Sequence, residues 1–145
     1  MLILLGTMSD TPSSQGRKAA GWAAVYIIDD DASVRTALER LLISAGIRSR
    51  SFGSARDFLK AGVPLDGACV ITDVKMHGMT GLELHQALKA AGARVSIIFV
   101  TAYDTDAARA EAKAAGAIAY FRKPVDDQAL LDAIEWALSK SVSGP

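Results

Sequence analysis

The chain has 145 residues and a formal net charge of zero, with 16 Lys and Arg residues balanced by 16 Asp and Glu residues. This length suits one domain and excludes two full hydrophobic cores. Half of the residues are hydrophobic and 22% are charged, which excludes an intrinsically disordered chain, and the balanced charge argues against a protein that binds nucleic-acid phosphates without regard to sequence.

Residues 1–22 are predicted to form a poorly ordered leader. The apolar start over residues 1–5 is short, and no basic residue precedes it, so it resembles neither a signal peptide nor a membrane span. The chain's one cysteine, Cys69, excludes an internal disulfide and a cysteine-built metal site. Because it lies in an apolar run, we expect it to be a small buried side chain, and the composition favours a cytoplasmic protein.

From residue 23 onward, five short apolar segments alternate with five helical patterns. The predicted strands are residues 25–28, 47–52, 68–72, 95–100 and 118–121. The predicted helices are residues 34–45, 55–60, 81–91, 104–115 and 126–139, with Ser33 as the N-cap of the first and Gly46 as its stop. This alternation predicts an α/β fold, with a parallel sheet covered by helices on both faces. The folded domain is expected over residues 23–140 and a polar tail over residues 141–145.

Polar side chains follow four of the predicted strands. They are Asp29-Asp30-Asp31, Asp73, Thr101 and Lys123. Because the carboxyl ends of parallel strands meet at one edge of a sheet, these side chains are predicted to converge there. Neighbouring carboxylates repel each other unless a cation is present, and a set of oxygen donors favours a hard ion such as Mg²⁺. The alternative for the acidic run is that it only caps the following helix.

Asp73 is the sharpest of these signals, because it ends the most apolar central strand. Beside a divalent cation and Lys123, its carboxylate would stay ionised and could attack a phosphoryl group. The cation and Lys123 would neutralise charge on the phosphoryl oxygens, and the Thr101 hydroxyl could hydrogen-bond one of them. Taken singly, Asp73 and Thr101 could instead be turn formers and Lys123 a surface charge.

Five short segments at these strand ends carry a family resemblance. They are Ile28-Asp29-Asp30, Thr72-Asp73-Val74-Lys75-Met76, Met79-Thr80-Gly81, Val100-Thr101-Ala102 and Arg122-Lys123-Pro124. In this order they resemble the motifs of the CheY-like receiver domain of two-component response regulators, over about residues 25–139. The segments at residues 33–35 and 54–59 are particularly similar to receivers of the FixJ type. The resemblance implies a flavodoxin-like five-stranded parallel sheet with strand order 2-1-3-4-5.

The resemblance also implies a metal site and a phosphoacceptor. Asp30 would bind Mg²⁺ directly and Asp29 mostly through water. Asp73 would supply a carboxylate oxygen and Lys75 its main-chain carbonyl. Asp73 would accept the phosphoryl group from a sensor histidine kinase or a histidine phosphotransfer protein.

A conformational switch is implied as well. Thr101 and Lys123 would contact the phosphoryl group, and Tyr120 matches the switch aromatic, whose ring turns inward when Thr101 moves toward the phosphate. The Lys123–Pro124 bond is expected to be cis. The chain would be a phosphoprotein that catalyses only its own phosphorylation and dephosphorylation, rather than an enzyme acting on other substrates.

One departure from the family's pattern falls at His77, where receivers usually have proline. This loop is therefore expected to be freer, with His77 as a solvated histidine or one that modulates the phosphate's lifetime. Lys75 and Tyr103 occupy positions where family members tune dephosphorylation, and their bulk predicts a slowed rate. Trp136 lies off the apolar stripe of the last helix, where it either packs on its own helix or serves a homodimer or effector contact on the face of the fourth helix, fifth strand and fifth helix.

Two other functions remain open from the residues alone. One is a pseudo-receiver, an interaction module of the same fold without phosphorylation. The other is a phosphatase with an aspartyl nucleophile, although Lys75 stands where haloacid-dehalogenase-type enzymes place a second acid. A flavin-binding protein is disfavoured because the acidic first loop would repel the FMN phosphate. We expect a single-domain regulator that neither binds nucleic acid directly nor contacts a membrane; the alternative is part of a longer protein, since FixJ-type receivers commonly precede a helix-turn-helix domain.

Overall fold

The computed structural model describes residues 23–143, in which five strands alternate with five helices. The strands are β1 (Val25–Ile28), β2 (Ser49–Phe52), β3 (Cys69–Thr72), β4 (Ser96–Thr101) and β5 (Ala119–Arg122). The helices are α1 (Ala32–Ser44), α2 (Ala55–Lys60), α3 (Gly81–Ala90), α4 (Asp106–Ala115) and α5 (Asp127–Ser143). The number, type and order of elements are those predicted.

The strands form one parallel sheet in the order β2-β1-β3-β4-β5. The register aligns the carboxyl ends of β1 and β3, because Ile28 pairs with Thr72, and β4 continues to Thr101, two residues beyond the Phe99 that pairs with Thr72. The central strands β1 and β3 are buried along their whole length, whereas the edge strand β2 exposes Arg50. The predicted α/β class and strand order 2-1-3-4-5 are confirmed.

Alternate residues of the sheet enter two hydrophobic cores, one on each face. Tyr26 and Ile28 of β1 join the core beneath α2, α3 and α4, whose buried members include Phe58, Leu84 and Ala112. Val25 and Ile27 join the core beneath α1 and α5, which includes Leu42 and Ile134. This two-sided burial explains why the central strands are continuous apolar runs rather than alternating ones.

Helix boundaries are where the predictions are wrong in detail. The N-cap of α1 is Asp31 and not Ser33, because the Asp31 carboxylate accepts the Ser33 N–H at 2.9 Å and the helix begins at Ala32. Helix α4 begins at Asp106 and not at residue 104, since Thr105 caps it by accepting the Ala108 N–H.

Helix α5 continues to Ser143, so residues 141–143 of the predicted tail are helical. The predicted leader, residues 1–22, and residues 144–145 lie outside the described part of the chain. Within residues 23–143, no helix is both long enough and apolar enough to cross a bilayer. Cys69 is buried as predicted, and burial raises its pKa to about 12.

Candidate functional site

Three of the predicted site residues meet in one ion-pair cluster at the carboxyl edge of the sheet. The ammonium of Lys123, which follows β5, lies 2.9 Å from Oδ2 of Asp29 and 2.9 Å from Oδ2 of Asp73. Asp29 follows β1 and Asp73 follows β3, so the three charges come from separate strands. The Lys123–Pro124 peptide bond is cis, as the resemblance implies.

The cluster is largely removed from solvent. Asp29 is 3% exposed and Asp73 is 9% exposed. Burial alone would lower the pKa of Lys123, but its hydrogen bonds and charge interactions with Asp29 and Asp73 outweigh burial and raise that pKa. Lys123 is therefore a permanent cation that offsets the repulsion between the two carboxylates.

Each oxygen of the Asp73 carboxylate has its own partners. Oδ1 accepts the Thr101 hydroxyl at 2.6 Å and the backbone N–H of Lys75 at 3.1 Å. Oδ2 accepts from Lys123. The Asp73 carboxylate is therefore held in one orientation by a hydroxyl, an amide and an ammonium. These three donors could also stabilise further negative charge brought next to Asp73.

The three aspartates after β1 make different contacts. Asp29 points inward, and Oδ1 of its carboxylate accepts the Asp31 N–H at 2.9 Å. Asp31 caps α1, so the capping interpretation holds for this residue. Arg35 donates from Nη1 to the Asp29 carbonyl at 2.6 Å and ties the run to α1. Asp30 alone turns toward the opposite loop.

That opposite loop carries His77. Its Nδ1 lies 2.9 Å from Oδ2 of Asp30, and its backbone N–H donates to the same oxygen at 3.2 Å. The backbone hydrogen bond and, less strongly, the ring lower the pKa of Asp30. The predicted solvated histidine is correct for the ring, whose side chain is 100% exposed, but the residue also holds a carboxylate of the site.

The donors at this edge fit a hard divalent cation by their chemistry. The carboxylates of Asp29, Asp30 and Asp73 are the oxygen ligands that Mg²⁺ takes in proteins. In residues 23–143, no group of three or more His, Cys, Asp and Glu side chains is gathered closely enough to hold a metal ion. The carboxylates of Asp29 and Asp73 pair with Lys123, and that of Asp30 pairs with His77.

A chain of contacts leads from Asp73 to the predicted switch aromatic. The Thr101 oxygen that donates to Asp73 also accepts the Tyr103 N–H at 2.9 Å. The Tyr120 hydroxyl donates to the Tyr103 carbonyl at 3.2 Å. The Lys75 ammonium lies 4.4 Å from the centre of the Tyr103 ring. Direct contacts therefore link four side chains or their backbones: Thr101, Tyr103, Tyr120 and Lys75.

Two supporting residues near these contacts were not predicted from the sequence. Arg109 on α4 stacks 4.6 Å from the centre of the Tyr120 ring and pairs with Asp104 at 3.1 Å. Gly81 begins α3 directly beneath the site, where a Cβ atom would come within 1.9 Å of the Asp73 carbonyl oxygen. A glycine in the first turn of a helix was the available signal for Gly81. Arg109 is one of many exposed cations, and nothing in the pattern singles it out.

Comparison with known proteins gives a consistent result. A family profile described as "Response regulator receiver domain" matches residues 25–135. FixJ of Azorhizobium caulinodans is 43% identical over 117 residues, which cover 81% of this chain and 56% of FixJ. The transcriptional regulatory protein TdiR of Thauera aromatica is 41% identical over 125 residues, covering 86% of this chain and 55% of TdiR. The chain thus spans little more than half of these relatives' length.

Solved structures agree with this match. A response regulator receiver protein from Burkholderia phymatum superposes with a TM-score of 0.69 at 41% identity, covering 79% of this chain and 94% of that chain. The structure titled FixJ-N superposes with a TM-score of 0.72 at 31% identity, covering 79% of this chain and 92% of that chain.

Proposed function

The chain belongs to the response regulator receiver domain family, and from that premise we propose that Asp73 accepts a phosphoryl group and so acts as a signalling switch. The observation that carries the proposal is the Asp73 carboxylate, which lies at the end of β3 with Thr101 on one oxygen and Lys123 on the other. The donor would be a sensor histidine kinase or a histidine phosphotransfer protein. An oxygen of Asp73 would attack phosphorus while the bond from phosphorus to the donor's imidazole nitrogen breaks.

The residues around Asp73 are suited to that transfer. Lys123 would move its ammonium from the Asp73 carboxylate to a phosphoryl oxygen, and it stays protonated because its pKa is raised. Thr101 would turn its hydroxyl from Asp73 to another phosphoryl oxygen. Asp29 keeps Lys123 in place during this exchange, because it holds the same ammonium at 2.9 Å.

Mg²⁺ is the proposed cofactor, held by Asp29, Asp30, Asp73 and the main-chain carbonyl of Lys75. When bound, it would neutralise negative charge on the phosphoryl oxygens. Support for this cofactor comes from the oxygen donors at this edge of the sheet. The carboxylates of Asp29 and Asp73 directly follow β1 and β3, whose ends are in register.

The proposed conformational change starts at Thr101. If its oxygen turns toward the phosphoryl group, the hydrogen bond from the Tyr103 N–H must lengthen or break. The Tyr103 carbonyl in turn accepts from the Tyr120 hydroxyl, so the Tyr120 ring would be released from that hydrogen bond. Lys75 and Tyr103, whose ammonium and ring are stacked on each other, would slow dephosphorylation by restricting water.

The readout surface would be the face of α4, β5 and α5. Trp136 on α5 is 56% exposed, with the Lys140 ammonium 5.0 Å from the centre of its ring. An exposed aromatic of this kind suits contact with an effector or with a second copy of the chain. We propose a cytoplasmic signalling protein of this type, acting without direct contact with nucleic acid or a membrane.

Acetyl phosphate with Mg²⁺ provides the test. Intact-mass measurement of the wild type should show a single phosphate adduct, which Asp73→Ala should lose. Asp66→Asn is the matched control, because Asp66 is 84% exposed and its only ion pair in the described chain is a 3.8 Å contact with Arg94, so its adduct should persist.

Two outcomes would contradict the proposal. Absence of the adduct from the wild type, with acetyl phosphate and with a competent kinase, would favour the pseudo-receiver. Steady turnover of a free phosphorylated substrate would favour the aspartyl phosphatase.

A further inference from the structure

The ring of Tyr120 is held by two separate contacts. The guanidinium carbon of Arg109 on α4 lies 4.6 Å from the centre of the ring, and the Tyr120 hydroxyl donates to the Tyr103 carbonyl at 3.2 Å. Nη2 of Arg109 lies 3.1 Å from each carboxylate oxygen of Asp104. The cation that stacks on the ring is therefore itself fixed in place by a carboxylate.

Both contacts are anchored in one short segment of the loop between β4 and α4. Tyr103 and Asp104 are consecutive in the chain. The Tyr103 N–H donates at 2.9 Å to the Thr101 hydroxyl oxygen, which in turn donates to Asp73. A movement of Thr101 toward a phosphoryl group would therefore act directly on this segment and, through it, on both contacts that hold Tyr120.

Resting on the proposed function, in which the Tyr120 ring turns inward on phosphorylation, we propose that Arg109 is a positioning residue that keeps this ring in the resting orientation seen here. The Arg109 side chain is 50% exposed. A cation stacked on a ring at so exposed a position favours the resting over the turned orientation by about two- to five-fold. Asp104 acts through Arg109, because it holds the guanidinium over the ring. The Arg109–Asp104 pair thus lowers the population of turned rings before any phosphoryl group arrives.

The test measures the affinity for beryllofluoride, a reversible mimic of a phosphoryl group on a carboxylate, in the presence of Mg²⁺. Coupling between two sites is reciprocal, so a protein with more rings already turned should bind the mimic more tightly. Arg109→Gln and Asp104→Asn change the net charge in opposite directions, yet each should tighten binding by about two- to five-fold. Arg94→Gln is the matched control, because it breaks an exposed pair with Asp66 at the amino edge of the sheet and should leave the affinity unchanged.

A spectroscopic readout follows the ring directly. The protein is labelled with 3-fluorotyrosine, and Tyr120→Phe identifies the ¹⁹F resonance of Tyr120 by its loss. Without beryllofluoride, this resonance in both test variants should move from its wild-type position toward the position it takes in the beryllofluoride-bound wild type.

Three outcomes would contradict the proposal. Resonance and affinity that stay at wild-type values in Arg109→Gln and Asp104→Asn, while the wild type gains its phosphate adduct, refute the role of Arg109 alone. Weaker binding in Arg109→Gln with tighter binding in Asp104→Asn would reveal a simple effect of charge and refute it as well. A wild type that takes neither the adduct nor beryllofluoride refutes the proposed function, and the positioning role with it.

Discussion

At the scale of single residues, Lys123 is the charge that allows two buried carboxylates to share one edge of the sheet. Its ammonium lies 2.9 Å from both Asp29 and Asp73. The carboxylates are 4% and 11% exposed in their side chains, so water screens them little. Removal of the lysine would leave two buried like charges facing each other.

Lys123→Met is therefore expected to lower the free energy of unfolding by about 1–3 kcal/mol in the absence of divalent cations. Urea unfolding followed by circular dichroism measures it. Lys60→Met, at the exposed end of α2, is the control and should change stability little. Equal stability of the Lys123 variant and the wild type would show that the cluster contributes nothing to the fold.

His85 is a second residue with a measurable consequence. In the described chain, its Nδ1 is the one buried side-chain polar atom without a hydrogen-bond partner. Burial, assisted by the charge of Lys89, lowers its pKa. Because the unfolded chain then binds the proton more tightly, stability is expected to be full above the unfolded value of about 6.5 and to fall as the pH drops below it.

His85→Leu should flatten this pH dependence. The leucine keeps the packing against Phe99 and cannot be protonated, so the loss of stability between pH 7 and pH 5 should be smaller than in the wild type. Urea unfolding at several pH values measures the difference. Parallel curves for the two proteins would rule out His85 as the titrating group.

At the scale of elements, the start of α3 fixes the position of Asp73, the proposed phosphoacceptor. Thr80 and Glu83 form a capping box, and the Gly81 N–H donates to the Val74 carbonyl at 2.9 Å. This places the first turn of α3 against the backbone of Asp73. The helix and the strand end behave as one unit, which is why the glycine is required there.

Gly81→Ala is expected to lower the free energy of unfolding by at least about 3 kcal/mol and to slow the formation of the phosphate adduct. The added Cβ would lie 1.9 Å from the Asp73 carbonyl oxygen, so the backbone at Asp73 must shift. Gly53→Ala is the matched control, because its Cβ would meet only the Arg35 side chain at 3.5 Å. Wild-type stability and adduct rate in the Gly81 variant would contradict this account.

At the scale of the whole molecule, one sheet lies between two hydrophobic cores and contributes side chains to each. Each of β1 and β3 sends alternate side chains into both. A loss of packing on one face therefore reaches the other through the same strands, and we expect the domain to unfold in one cooperative step.

Two substitutions, one in each core, test whether unfolding is cooperative. Ile97→Val alters the core beneath α2, α3 and α4, and Ile134→Val alters the core beneath α1 and α5. Each should lower the free energy of unfolding by about 1 kcal/mol, with circular dichroism and tryptophan fluorescence still giving coincident transitions. Separate transitions for the two probes would show that the faces unfold independently.

The alternation of apolar runs and helical stripes was enough to predict the class, the element order and the convergence of Asp29, Asp73, Thr101 and Lys123. These features depend on the periodicity of burial, which can be read from short stretches of sequence, and on the geometry of parallel strands, which is the same in every parallel sheet. Strand order came from the family resemblance. The cap of α1 was misassigned because Asp31 and Ser33 are both good N-caps, and only the backbone conformation separates them.

The places of the acids and the lysine along the chain could be predicted from the sequence, since each follows a strand whose apolar pattern can be read directly. The different contacts of the three acids follow only from the fold: Asp29 pairs with Lys123, Asp30 pairs with His77 and Asp31 caps α1. The contact between Gly81 and Asp73 also follows only from the fold. These depend on side-chain directions and ångström-scale distances between segments far apart in the chain, which no local pattern encodes.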